Sequence, residues 1–180
     1  MRSEIGTVAI VLLLVSVGAG FPALADDTAN SERGTRYLAP FKKDLMAALK
    51  AGLAEGPAAA IDACRIEAPA IAARHSGDGV RVGRCSPRLR NPANTAPDWV
   101  SPTLDAWLGT DTREPAVIEL DGDRAGYIEP IIAKPLCLAC HGDALAPAIA
   151  ERIDALYPDD QATGFSAGDL RGVFWVEFAR

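Results

Sequence analysis

Cys137-Leu138-Ala139-Cys140-His141 sets two thiols three positions apart, with an imidazole beside the second. The C-x-x-C-H spacing is that of covalent haem attachment. Both sulfurs can add to the two vinyl groups of one macrocycle as thioethers, and the adjacent histidine then lies over the iron as an axial ligand. The expected cofactor is therefore one haem c, attached through Cys137 and Cys140 and ligated by His141. Other uses of these residues fit less well. A thioredoxin-like pair expects a βαβ setting, which Pro135 and the histidine after the motif do not provide. A structural zinc site takes four ligands, usually as two closely spaced pairs, whereas the remaining cysteines, Cys64 and Cys85, stand 21 residues apart. A disulfide within the motif would leave His141 without a role.

The iron's other axial position is open to several donors. Met46, Cys64, His75 and Cys85 are the candidates, besides a vacant or water-bound site. Met46 lies beside the apolar stripe of a helix, where methionine is more often core than ligand. His75 sits among Arg74, Ser76, Gly77 and Asp78, as at an exposed helix end. Cys64 follows Ala58, Ala59, Ala60 and Ala63, whose small side chains would let a flat macrocycle approach the backbone. Cys64 and Cys85 could instead form a disulfide worth roughly 3 kcal/mol in an oxidising compartment. Arg81, Arg84, Arg88 and Arg90, with Arg171 near the last strand, offer guanidinium forks for the two propionates. A solvated arginine-bearing loop is the plainer reading of the same residues.

These groups need a compartment and a scaffold. Arg2, the apolar run VAIVLLLVSV and Ala23-Leu24-Ala25 ahead of Asp26 read as a secretory signal peptide cleaved after Ala25. The run is shorter than the roughly 20 residues of a spanning helix, and no later segment could span a bilayer. The expected location is periplasmic or secreted. A net charge of −6 and a pI near 4.9 argue against a protein that grips nucleic-acid phosphates, which needs a basic face. The organisation expected is a signal peptide over 1–25, a flexible polar lead-in over 26–36, and one domain over 37–180.

Within that domain, Leu38, Phe41, Leu45, Leu49 and Leu53 recur at helical spacing and predict a helix over 37–54. Gly56-Pro57 opens a second helix, which Pro69 should break or kink before a short continuation to His75. Strand character follows over 80–86, a proline-bearing loop over 87–97, and a short helix over 98–108. Strands over 116–120 and 126–132 flank Asp121-Gly122, a hairpin signal. A helix over 147–157, a turn-rich loop over 158–164 and a last strand over 172–178 complete the order. That order predicts an α+β domain on a small antiparallel sheet.

Longer strings carry a resemblance. Ala60-Ile61-Asp62-Ala63-Cys64, Val82-Gly83-Arg84, Leu89-Arg90-Asn91-Pro92-Ala93-Asn94, the haem motif with Gly142, and Ala162-Thr163-Gly164-Phe165 through Gly168-Asp169-Leu170-Arg171-Gly172 resemble the c-type haem-binding, PAS-like "Tll-like" sensor domain family. The resemblance spans about Tyr37 to Phe178. It implies a PAS-like antiparallel sheet flanked by helices, with haem c against it and a cysteine at the Cys64 position on the iron opposite His141. It also sets one departure in relief: Cys85 stands where the family usually carries a hydroxyl residue.

The expected function is that of an exported c-type haem protein acting as a redox- or gas-responsive sensor. The alternative is a small periplasmic electron-transfer cytochrome. An enzyme is not expected, because a peroxidase-like site needs acid–base groups and only His75 would remain to serve. With no effector segment in the sequence, either role calls for a separate redox or signalling partner.

Overall fold

A computed structural model describes residues 22–180 other than Thr112. The expected signal peptide over 1–25 lies outside the described residues, save for the backbone of 22–25.

Helix α1 runs Pro22–Glu55 and so includes 26–36, the stretch expected to be a loose lead-in. The physical reason lies far away in sequence. Asn30 is buried, and Gly34, having no side chain, lets the helix rest directly on the Tyr127 ring. Thr35 Oγ1 lies 3.0 Å from the Tyr127 hydroxyl, and the Arg33 guanidinium lies over Phe178 at 4.8 Å. This half of α1 is anchored by polar and ring contacts rather than an apolar stripe, which is why its composition reads as loose. Pro40 sits inside the helix on its exposed side, where water can satisfy the carbonyl of Arg36.

Between helix α2 (Pro57–Asp62) and α3 (Ala68–Arg74) the irregularity expected at Pro69 takes the form of a π-helical turn, Ala63–Glu67, that joins the two rather than a full break. A proline ring collides with the carbonyl four residues back and brings no N–H. Widening the helix by one residue absorbs both defects, and the Ala68 N–H bonds to the Ala63 carbonyl. Cys64 lies in this turn.

Four antiparallel strands, β1 (Arg81–Cys85), β2 (Ala116–Leu120), β3 (Arg124–Ile132) and β4 (Leu170–Ala179), form one sheet in the order β1-β4-β3-β2. The fold is α+β with an antiparallel sheet flanked by helices, as the sequence predicts. Strand alternation sorts the side chains by face. Val82, Ala125, Tyr127, Val176 and Phe178 pack with Leu38 and Phe41 of α1. Cys85, Ile128, Val173 and Trp175 pack with Leu104 and Trp107 of α4 (Ser101–Leu108) on the other side. The one-turn helix α5 (Leu138–His141) follows β3, and α6 (Pro147–Leu156) packs Ile149 and Ile153 on Ile61 of α2. Arg152 Nη2 of α6 donates to both carboxylate oxygens of Asp62, at 3.0 and 2.8 Å, which ties α2 to α6 and holds the Asp62 carboxyl below its usual range.

Candidate functional site

Pro135–Cys137 forms a single tight turn that runs into α5, so the whole motif curls at the edge of one cleft. Cys137, Cys140 and His141 line this cleft together with Cys64. Leu45, Leu49 and Leu53 of α1 supply its apolar wall, and Ala60, Ala63 and Ala68 supply a wall of small residues. The space between protein atoms is about 1430 Å³, mouth included.

His141 is held on one side only. Its Nδ1 lies 2.7 Å from the carbonyl oxygen of Ala162. A carbonyl can only accept, so Nδ1 carries the proton and Nε2 keeps the free lone pair. Burial lowers the ring's pKa to about 3, with Arg171 and Arg90 adding to the effect and the Ala162 bond opposing it. The imidazole is therefore neutral, the form that ligates a metal. The loop after α6 also grips the motif's backbone: Phe165 N–H donates to the His141 carbonyl at 2.9 Å, and Gly164 N–H to Gly142 at 3.0 Å. Gly164 has φ +71°, a left-handed conformation that suits glycine. The Phe165 ring stands edge-on to His141, centroids 6.3 Å apart.

Of the candidate second ligands, Cys64 and Met46 line the cleft, Cys64 half-buried and Met46 44% exposed. His75 does not line it; its Nε2 lies 2.8 Å from Asp44 Oδ2. Cys85 borders the cleft where β1 passes, yet its side chain packs among Val100, Leu104 and Val173 on the α4 face, and burial pushes its thiol up to about 12. No Cys64–Cys85 disulfide forms; all four thiols are free.

The arginines divide by role. Arg81 pairs with Glu177 at the surface, and Arg88 covers the Phe165 ring at 3.5 Å. Arg90 forms a buried pair with Asp160. Arg84 and Arg171 line the cleft, and among the described residues neither has a carboxylate partner within salt-bridge distance. Arg171 Nη1 donates to Ser86 Oγ at 2.6 Å, but its Nε is buried and unpartnered. Burial, then Arg84 and Arg90, lower the Arg171 pKa to about 10.

Sequence reasoning did not single out Asp160, or the Ala162 carbonyl that orients the histidine. Only the glycine at 164 marks a special backbone there, and no side-chain pattern signals a main-chain acceptor.

Sheet, cleft and motif together define an α+β domain with a two-thiol, one-imidazole site in a cleft with apolar walls. The chain belongs to the Tll0287-like family, whose model matches residues 26–179. It is similar to the crystal structure of the cyanobacterial heme-protein Tll0287, with 29% identity and a TM-score of 0.50 over 63% of this chain and 68% of that one. A comparison with curated protein sequences finds no match.

Proposed function

We propose that this chain is an exported c-type haem protein that responds to redox change or to ligand exchange at the iron. The observation that carries the reading is the His141 geometry: Nδ1 is committed to Ala162 and Nε2 is left as a lone pair, beside two thiols in one cleft. Kinship with a cyanobacterial heme-protein supports the same cofactor. The cleft fits the group chemically. Its apolar and small-residue walls suit a flat macrocycle, and the unpartnered Arg171 Nε with Arg84 suits carboxylates at one edge.

A haem, when bound, supplies a one-electron iron couple and an exchangeable axial position. Cys137 and Cys140 would hold it through thioethers, and His141 Nε2 would provide the first axial donor. Arg84 and Arg171 would receive the propionates. Cys64 is the proposed second axial ligand. It sits on a π-helical turn, a wider and less regular arrangement than the helices on either side, and such turns recur at functional sites. A donor mounted there can leave without breaking a helix, which favours the sensor reading. No residue is assigned a catalytic role.

One observation favours the alternative, an electron-transfer protein: Met46 and Leu136, both lining the cleft, are 44% and 49% exposed. They offer an apolar contact for a redox partner at the cofactor's edge.

The test uses protein exported from a host with haem-c maturation. Haem stain should survive denaturing electrophoresis and vanish in Cys137→Ser with Cys140→Ser; stain lost from the wild type overturns the covalent reading. The exported chain should begin at Asp26, read by mass spectrometry. Carbon monoxide should change the ferrous spectrum if Cys64 leaves on reduction. A ferrous spectrum that carbon monoxide does not alter transfers support to electron transfer.

A further inference from the structure

Next to the motif stands a buried ion pair. Arg90 donates from Nε to Asp160 Oδ1 at 3.1 Å and from Nη2 to Oδ2 at 3.0 Å, and the two side chains are only 10% and 7% exposed. The same Nη2 donates to the Cys140 carbonyl at 2.7 Å and reaches that of Ala162 at 3.4 Å. Asp160 Oδ1 also accepts the Ala162 N–H at 2.9 Å. Ala162 is thus pinned at its N–H and at its carbonyl, and that carbonyl takes the Nδ1 proton of His141 at 2.7 Å. Gln161 N–H donates to Leu89 at 2.8 Å and ties the loop back to the segment that bears Arg90.

A buried pair is weak evidence for stability, since desolvation can outweigh attraction. An apolar pair would hold the loop equally well. It could not aim a carbonyl at a ring nitrogen. We propose that Arg90 and Asp160 are positioning residues for His141, holding the Ala162 carbonyl against Nδ1 so that the Nδ1–H form is kept and Nε2 faces the metal side. This deepens the haem reading and, for its effect on the iron, rests on it. A firm acceptor on Nδ1–H raises the ring's donor strength, and a stronger donor favours ferric iron. Loosening the pair should therefore move the equilibrium toward ferrous.

The experiment compares wild type, Asp160→Asn and Arg90→Lys as exported haem-loaded proteins. Asp160→Asn keeps the shape and removes the charge; Arg90→Lys keeps the charge and removes the fork. Asp160→Asn should shift the ferric–ferrous equilibrium about tenfold toward ferrous, which is about 59 mV for one electron. Arg90→Lys should shift it the same way by less. In the wild type, the Nδ1 proton of the ligand ring should exchange slowly in heavy water, and faster in both variants. An unchanged potential in both variants overturns the proposal, whatever happens to the melting temperature. So does rapid exchange in the wild type, a measurement that stands even if the variants do not mature. If the wild type carries no haem, the reading of the preceding subsection fails separately. The positioning claim is then read from nitrogen shifts of His141 in the free protein: an Nδ1–H ring supports it, an Nε2–H ring overturns it.

Discussion

Among the described residues Arg171 has no carboxylate within salt-bridge distance, and this makes its replacement by methionine informative. Burial beside Arg84 and Arg90 lowers its pKa from 12.5 to about 10. At about 1.36 kcal/mol for each pH unit, keeping it protonated at neutral pH costs about 3 kcal/mol. Two contacts offset this. The hydrogen bond to Ser86 contributes about 1–1.5 kcal/mol, and the Phe165 ring, 5.0 Å from the guanidinium, about 0.5–1 kcal/mol. Methionine keeps the length and adapts to irregular space. Without haem, Arg171→Met should therefore stabilise the fold, by about 1 kcal/mol. With haem, a propionate would add charge-assisted hydrogen bonds worth about 1.5–3 kcal/mol, so the same substitution should destabilise, by about 1–2 kcal/mol. The assay is denaturant unfolding of the substitution in the haem-loaded protein and in the Cys137→Ser/Cys140→Ser background. A base whose folded pKa is depressed destabilises below that pKa and is relieved as pH rises through it. The haem-free gain should thus hold steady at neutral pH and fade only above about pH 10. An equal effect of the same sign in both forms would refute the reasoning and remove Arg171 from the propionate site.

Cys64→Ser should convert a low-spin ferric spectrum to high-spin or to a different ligand field. Cys85→Ser and His75→Ala should leave it unchanged, since Cys85 packs on the α4 face and His75 is paired with Asp44; a shifted spectrum in either would reassign the ligand. Gly34→Ala tests the docking of the first half of α1. Helix propensity alone favours alanine by about 1 kcal/mol, but its Cβ would overlap the Tyr127 ring. Overpacking costs about 1–3 kcal/mol, so a net loss of about 1 kcal/mol is expected in thermal unfolding. A gain would mean that this half of α1 does not rest on the sheet.

What the sequence determined by itself is what short range determines. The attachment chemistry proposed for this chain falls on five adjacent residues, because two sulfurs and an imidazole would act through their types and spacing. The apolar run over 172–178 marked the last strand, and the hairpin at Asp121-Gly122 joined two strands by local turn preference, while which of Val173, Trp175, Val176 and Phe178 face which layer is seen only in the folded sheet. Tertiary structure decided everything that depends on which distant groups meet. Nothing near Arg90 announces that its carboxylate partner lies 70 residues on, so it reads as one more arginine of a basic loop. Residues 26–36 look loose because their anchor, Tyr127, lies on another strand. Pro69 reads as a breaker because a π-helical turn that tolerates it has no sequence signature. Cys64 and Cys85 are the same residue type in the same chain. They part only because a helix turns one into the cleft while the pleat of β1 sends the other to the opposite face of the sheet. Covalent chemistry and backbone alternation are local properties, whereas burial and charge pairing exist only once the chain has closed on itself.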